Sequence, residues 1–230
     1  MKHIYKTLTL AVVILGIMNL FTLEAQSTGT KTANTKVLVV TNKGKITLEL
    51  FNETPLHRDN FLMLVRSGAY NGVHFHRIVP GFVIQGGNLM TKNARKGMDM
   101  HQDTLTRTVP AEFMPEKYFH ERGALCAARE SDDTNPSKAS SGSQFYIVTG
   151  RYYTEYDLQK MSMDYGKTFT DAQKEAYKLQ GGTPSLDGSY TVFGRVIDGM
   201  DTVMKIEKCE TDGKDQPVKP VIIKSMSIIP

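Results

Sequence analysis

Short apolar runs, many of them with period-two alternation, dominate the chain after residue 35 and predict strands. Two of these runs, 36–41 and 45–51, are rich in Val, Ile and Leu and enclose Asn42-Lys43-Gly44, which predicts a hairpin with a short glycine-containing turn. Six further runs predict strands at 74–79, 82–86, 123–128, 144–149, 191–196 and 221–228. Eight short strands with few helices favour an all-β fold, either a sandwich or a closed barrel.

One predicted helix follows the hairpin. Thr54 is a suitable N-cap with Pro55 at the first helical position, and Gly68 is suited to the stop. Apolar residues recur between these ends at helical spacing.

The stretch 151–182 differs in kind, because it carries two helix-start patterns. Thr154 is followed three residues later by Asp157, and Thr170 by Gln173, each in the order of a capping box. We therefore expect an inserted helical hairpin. We assign its packing face, in preference to a ligand or partner surface, to Tyr152, Tyr153, Tyr156 and Met161.

Residues 1–25 have the layout of a secretory signal: Lys2 and Lys6 precede an apolar run, and a small residue, Ala25, ends the stretch. The run of about 14 apolar positions is shorter than the roughly 20 that a transmembrane helix needs. We expect cleavage, a flexible polar N-terminus at 26–35 and one domain at 36–230, exported and periplasmic, with no stable membrane span after cleavage.

Charge and cysteine content exclude some classes of function. The 28 basic and 24 acidic residues give a net charge of +4, and loss of the signal would leave +3. Basic residues are scattered among acids, so we expect no nucleic-acid partner. Cys126 and Cys209 lack the close spacing of a metal or redox motif, and we favour two free thiols over a disulfide.

The stretch Phe75–Gly87, FHRIVPGFVIQGG, places one permanent cation among apolar residues. Burying a guanidinium is costly, so Arg77 needs either a structural carboxylate or a ligand, and the residues alone leave both open. Period-two spacing puts Phe75 and Arg77 on one face. Arg77 can then reach a surface bordered by Phe82 and Gln85 only if the strand bends at Pro80-Gly81.

Four separated matches make the chain resemble the cyclophilin-type peptidyl-prolyl cis-trans isomerases. They are the stretch from Asn60-Phe61 to Phe75-His76-Arg77, then Phe82-Val83-Ile84-Gln85-Gly86-Gly87, then Ser140–Ile147, and finally Leu186-Asp187-Gly188 with Val192-Phe193-Gly194. The resemblance covers most of 36–229 apart from the insertion and a lengthened loop at 129–141. It implies a closed eight-stranded antiparallel barrel capped by two helices, acting as a monomer on proline-containing polypeptides with no cofactor and no metal.

The resemblance also implies site residues. Arg77 corresponds to the catalytic arginine, Phe82 to the floor of the proline pocket and Gln85 to a polar contact for the peptide. The implied substrate-binding residues are Val83, Ala128, Arg129, Gln144, Tyr146, Leu186 and Tyr190. Tyr146 stands where the family often has Phe, so its hydroxyl needs a polar partner. Ser185 stands where members sensitive to cyclosporin have Trp, which predicts weak cyclosporin binding.

Other candidate sites are weaker. His74 and His76 lack a third metal ligand at suitable spacing, and we expect His120 to form a hydrogen bond within a loop. A hydrolase would need an activated nucleophile, and no Ser/His/Asp arrangement is evident. We expect a prolyl isomerase that assists folding of exported proteins; the alternative is a non-catalytic chaperone or assembly module that binds proline-containing segments.

Overall fold

The computed structural model describes residues 33–94 and 107–230. The predicted signal (1–25) and most of the predicted flexible stretch (26–35) lie outside these ranges, although Thr35 already belongs to the first strand. The strands are β1 (Thr35–Thr41), β2 (Lys45–Leu50), β3 (His74–Val79), β4 (Val83–Gly86), β5 (Thr108–Val109), β6 (Ala124–Ala127), β7 (Ser140–Ser141), β8 (Phe145–Val148), β9 (Val192–Asp198) and β10 (Val221–Ile229). The helices are α1 (Pro55–Arg66), α2 (Glu155–Tyr165), α3 (Asp171–Leu179) and α4 (Met200–Glu207), with short 3₁₀ turns at Leu89–Asn93 and Pro184–Leu186.

Eight of these strands close into an antiparallel barrel in the order β1-β10-β3-β4-β8-β6-β9-β2, which confirms the predicted closed form. The predicted hairpin joins β1 to β2, with Val40 opposite Lys45. β1 and β10 form the closing seam, where Lys36 lies opposite Ile229. β5 and β7 pair separately as a two-stranded sheet.

Apolar residues lie on both faces of the strands β4, β6 and β8. One set packs inside the barrel with residues of α1 and α4 and includes Ile84, Leu125 and Ile147. The alternating set, which includes Val83 and Tyr146, forms a second apolar cluster on the outward face. β6 and β8 are continuous apolar runs because both of their faces are covered, whereas β4 is interrupted by the partly buried Gln85.

The start of α1 differs from the sequence prediction. Pro55 is the first helical residue, as predicted, but the Thr54 side chain makes no capping hydrogen bond. Instead, the carboxylate of Glu112 accepts the backbone N–H groups of Leu56 at 3.1 Å and His57 at 3.0 Å. A negative charge at this position satisfies unpaired donors and interacts favourably with the helix dipole.

The inserted hairpin forms two helices, as predicted. Both capping boxes are present, Thr154 with Asp157 and Thr170 with Gln173. Leu158, Phe169 and Tyr177 form its own small apolar cluster. The predicted packing face is only partly right: Tyr153 and Met161 pack against that cluster, whereas Tyr152 and Tyr156 are exposed.

Both cysteines are free thiols, with Cys126 buried and Cys209 partly buried. None of the helices in the described ranges is long and apolar enough to cross a bilayer.

Candidate active site

The outward apolar cluster borders a cavity of about 140 Å³ on the barrel wall. This is well below the roughly 300–1,000 Å³ of pockets that hold drug-sized ligands, so it suits one small apolar ring. Nine of the ten predicted site residues line it: Arg77, Phe82, Val83, Gln85, Ala128, Arg129, Tyr146, Leu186 and Tyr190. The tenth, Gln144, does not line it but accepts a hydrogen bond from the Gln85 amide at 2.9 Å.

A tight turn brings the predicted catalytic residues together. Arg77 on β3 lies opposite Gln85 on β4, and the chain reverses between them through Gly81, whose φ of +68° is in the left-handed region. The N–H of Phe82 closes the turn on the Val79 carbonyl at 3.0 Å. The bend that the sequence required at Pro80-Gly81 is therefore present.

One part of the strand prediction is wrong. Phe75 and Arg77 do not share a face, because a register shift between them interrupts the alternation of β3. Phe75 packs in the barrel core, whereas Arg77 lines the outer cavity. The irregularity aims the guanidinium outward.

The two roles that the sequence left open for Arg77 are compatible, because it has a carboxylate partner and still lines the cavity. Its guanidinium Nη2 lies 3.5 Å from Oδ2 of Asp215, so a structural carboxylate exists. The Arg77 side chain also keeps 32% of its surface exposed and lines the cavity. The cation is therefore oriented by a carboxylate and still accessible to a ligand.

The hydroxyl of Tyr146 finds its partner inside the protein. It lies 3.0 Å from Nε2 of His120, whose Nδ1 is 2.8 Å from the Asp187 carboxylate. If Nδ1–H donates to Asp187, Nε2 accepts from Tyr146. Burial raises the pKa of Tyr146 well above its ordinary value, so the phenol stays protonated. We expected His120 to form a hydrogen bond within a loop. It instead connects Tyr146 in the cavity wall to Asp187, which lies 67 positions further along the chain.

Arg129 forms a fixed part of the cavity wall. Its Nε donates to the Ser189 carbonyl at 2.8 Å and its Nη1 lies 2.6 Å from the Asp132 carboxylate. The guanidinium stacks 4.4 Å from the centre of the Tyr190 ring, and the side chain is 4% exposed. Asp132 compensates its charge, so Arg129 stabilises the wall more than it attracts anions.

A Ser-His-Glu chain that sequence reasoning missed lies elsewhere. Nε2 of His57 is 2.9 Å from the Ser140 hydroxyl, and Nδ1 is 2.6 Å from Glu112. Ser140 and His57 are both buried, and the neighbouring cavity that His57 lines measures about 10 Å³. No substrate fits there, so this chain joins α1 to β7 and does not support a hydrolase.

Two site features have no signal in the sequence. Asp215 reaches Arg77 from a loop far along the chain, and Asp187 reaches His120 across 67 residues. No local pattern in the sequence connects either aspartate to its partner. In the part of the chain that the structure describes, no three His, Cys, Asp or Glu side chains are grouped to hold a metal ion.

Comparison with known proteins agrees with this geometry. The model of the cyclophilin-type peptidyl-prolyl cis-trans isomerase family matches residues 36–228. A Staphylococcus epidermidis protein named "Putative peptidyl-prolyl cis-trans isomerase" is 35% identical over 194 residues, covering 84% of this chain and 91% of its own. A protein of the same name from Staphylococcus aureus is 34% identical over 194 residues, with the same coverage of both chains.

Solved structures agree as well. The crystal structure of a Cryptosporidium parvum cyclophilin-type isomerase has a TM-score of 0.61 and 29% identity, covering 86% of this chain and 98% of that one. A structure of the same protein in the presence of the dipeptide Ala-Pro has a TM-score of 0.60 and 29% identity, covering 85% and 99%. The barrel order, the cavity and these matches together show that the chain belongs to the cyclophilin-type peptidyl-prolyl cis-trans isomerases.

Proposed function

We propose that the protein accelerates rotation about X-Pro peptide bonds in exported polypeptides, with Arg77, Phe82 and Gln85 as its catalytic residues. The observation that carries the proposal is that these three side chains line one small cavity. The Cryptosporidium relative crystallised in the presence of Ala-Pro supports a proline-containing substrate.

The chemistry follows from the amide bond. Rotation is slow because resonance gives the C–N bond partial double-bond character, with a barrier of about 18–20 kcal/mol. Twisting the bond breaks the conjugation and returns a lone pair to the prolyl nitrogen. A guanidinium hydrogen bond to that nitrogen is stronger in the twisted state than in the planar one, so Arg77 lowers the barrier.

The remaining residues hold the substrate while the bond turns. Phe82, Val83, Tyr146 and Leu186 form an apolar socket for the proline ring, and the Gln85 amide holds a peptide carbonyl. The Gln144 oxygen accepts from the Gln85 amide at 2.9 Å and so fixes which way that amide points. No nucleophile and no cofactor is needed for such a rotation.

NMR exchange spectroscopy on a short Ala-Pro peptide tests this function. We expect the protein to accelerate cis-trans exchange, and Arg77→Ala to slow it by about 10²–10³-fold, the cost of removing one transition-state donor. Phe82→Ala should weaken peptide binding. Arg66→Ala is the matched control, because Arg66 is exposed in the last turn of α1 and does not line the cavity.

Two outcomes separate the alternatives. Cis-trans exchange of the peptide that is fast with the wild type and lost with Arg77→Ala supports the enzyme. Peptide binding without added exchange in the wild type would instead identify a non-catalytic module that binds proline-containing segments.

Export and periplasmic location are parts of the same proposal, supported by the signal-like layout of 1–25. A monomeric state is proposed from the family resemblance. Expression of the full chain in a Gram-negative host should yield a periplasmic product beginning at Gln26. Gel filtration with light scattering should give the mass of a monomer. An unprocessed cytoplasmic chain would contradict export.

A further inference from the structure

The inserted hairpin, α2 and α3, leads directly into a stretch that we call the wall segment, residues 183–189. The segment contains the 3₁₀ turn Pro184–Leu186 and supplies Leu186 to the cavity. Its neighbour Tyr190 also lines the cavity. The insertion is therefore adjacent in sequence and space to one side of the proline socket.

A lysine of the insertion holds the backbone of the wall segment. Lys167 lies in the linker between α2 and α3, and its ammonium donates to the carbonyls of Pro184 at 3.0 Å, Ser185 at 2.8 Å and Asp187 at 2.9 Å. An ammonium group has three N–H donors, and all three are used here. These carbonyls surround Leu186 in the chain, so Lys167 fixes the backbone that carries Leu186.

A tyrosine of the insertion holds the same segment through a side chain. The hydroxyl of Tyr177 on α3 donates to Oδ2 of Asp187 at 2.5 Å. The other oxygen, Oδ1, accepts the backbone N–H of His120 at 2.9 Å and faces its Nδ1 at 2.8 Å. Tyr177 is fully buried, so this contact is shielded from water.

Other lysines of the hairpin behave differently. Lys160 pairs with Asp164, and Lys178 pairs with Glu155, in both cases on the exposed surface of the hairpin itself. Such surface pairs contribute little and position nothing outside the insertion. Lys167 instead donates its hydrogen bonds to carbonyl groups of the wall segment.

We propose that the inserted hairpin positions the proline socket, with Lys167 and Tyr177 as positioning residues that hold Leu186 in place. The inference rests on the proposed isomerase function and assigns a role to the insertion within it. A socket wall held before the peptide arrives loses less conformational freedom on binding, which strengthens binding of the proline ring.

Lys167→Met tests the proposal, since it keeps the length of the side chain and removes the donors. Lys160→Met is the matched control on the same hairpin. In the free protein, we expect the Leu186 methyl signals to shift and broaden in Lys167→Met and to stay unchanged in Lys160→Met. The dissociation constant of an Ala-Pro peptide, measured by NMR titration, should rise by about tenfold only in Lys167→Met.

A double-mutant cycle distinguishes positioning from general loss of stability. If Lys167 acts through Leu186, Lys167→Met should weaken peptide binding much less in a Leu186→Ala background than in the wild type. Tyr177→Phe, which keeps the buried ring, should reproduce the Leu186 methyl changes and covers the case in which Lys167→Met does not fold.

The proposal is overturned if Lys167→Met and Tyr177→Phe both keep wild-type Leu186 signals and peptide affinity. It is also overturned if Lys167→Met weakens peptide binding as much in the Leu186→Ala background as in the wild type. Failure of the proposed function has a different signature, the absence of peptide exchange in the wild-type protein. The Leu186 signals of the free protein need no peptide and test the positioning role in either case.

Discussion

Arg77 Nη2 lies 3.5 Å from Asp215 Oδ2, and Asp215 occupies the left-handed region of backbone space at φ +61°. The carbonyl of the same aspartate accepts the N–H of Ile78 at 2.8 Å, next to Arg77 in β3. The backbone and the side chain of Asp215 therefore contact two consecutive residues of β3, and the carboxylate helps to orient the guanidinium that lines the cavity.

Asp215→Asn should slow peptide isomerisation by about two- to fivefold, because an exposed ion pair is worth up to about 1 kcal/mol. Asn tolerates the left-handed conformation and keeps the size of the side chain, so the loop should stay folded. Exchange spectroscopy measures the rate, and the exposed Asp198→Asn serves as control. A faster Asp215→Asn enzyme would mean that Asp215 competes with substrate for Arg77.

His57 makes stability depend on pH. Burial lowers the pKa of His57 below its ordinary 6.5, and Glu112 opposes this only in part. The folded protein then binds fewer protons than the unfolded chain, so the contribution of His57 is complete above about pH 6.5 and declines as the pH falls below it.

Urea unfolding between pH 8 and pH 5 checks this dependence. We expect the free energy of unfolding to decline below pH 6.5 in the wild type and to decline less in His57→Gln. His74→Gln is the comparison, because burial also lowers the pKa of His74. Stability that rises on acidification, with the rise lost in His57→Gln, would show that the pairing with Glu112 dominates.

Gly150→Ala should destabilise the junction between the barrel and the insertion. Gly150 has φ +57°, and a Cβ there would lie 2.4 Å from Cα of Gly182. Gly166 has a similar φ of +64° but nothing within 4 Å of its Cβ position, so Gly166→Ala measures backbone strain alone. We expect about 1 kcal/mol of destabilisation for Gly166→Ala and more than about 2 kcal/mol for Gly150→Ala. If urea unfolding gave equal losses of unfolding free energy for the two variants, the close approach of Gly150 to Gly182 would be ruled out as a source of destabilisation.

Cyclosporin should bind weakly, and Ser185→Trp should strengthen its binding. Ser185 is exposed beside Leu186 in the 3₁₀ turn at the edge of the cavity. A tryptophan there would add a ring that can stack and donate a hydrogen bond, for a gain of at least about tenfold in affinity. Isothermal titration calorimetry measures both constants. A nanomolar constant for the wild type would contradict the prediction.

Local signals in the sequence predicted local structure well. The capping boxes at Thr154 and Thr170 join residues three apart, and both are present. The local sequence around Thr54 also predicted an N-cap, but Thr54 makes no capping hydrogen bond. Glu112, 55 residues from His57, accepts the backbone N–H groups at the helix start instead. Tertiary partners override a local preference where they offer better hydrogen bonds.

The same distinction between local signals and long-range contacts applies to the candidate site. The cavity residues could be predicted because they lie in contiguous motifs that resemble those of a known family, and the resemblance implies how these residues are arranged. The register shift in β3, the carboxylate facing Arg77 and the Asp187–His120 link depend on contacts across long stretches of chain. Periodicity contains no information on such contacts.

The seam between β1 and β10, where Lys36 lies opposite Ile229, also governs how the protein must fold. The barrel cannot close before β10 has been synthesised, so until then β1 offers an unpaired edge to any neighbouring strand. Folding that depends on a pairing so distant in sequence is slow, because the chain loses much entropy before the contact forms. From its topology we therefore expect this protein to fold slowly and to be vulnerable to edge-to-edge association until its final strand is in place.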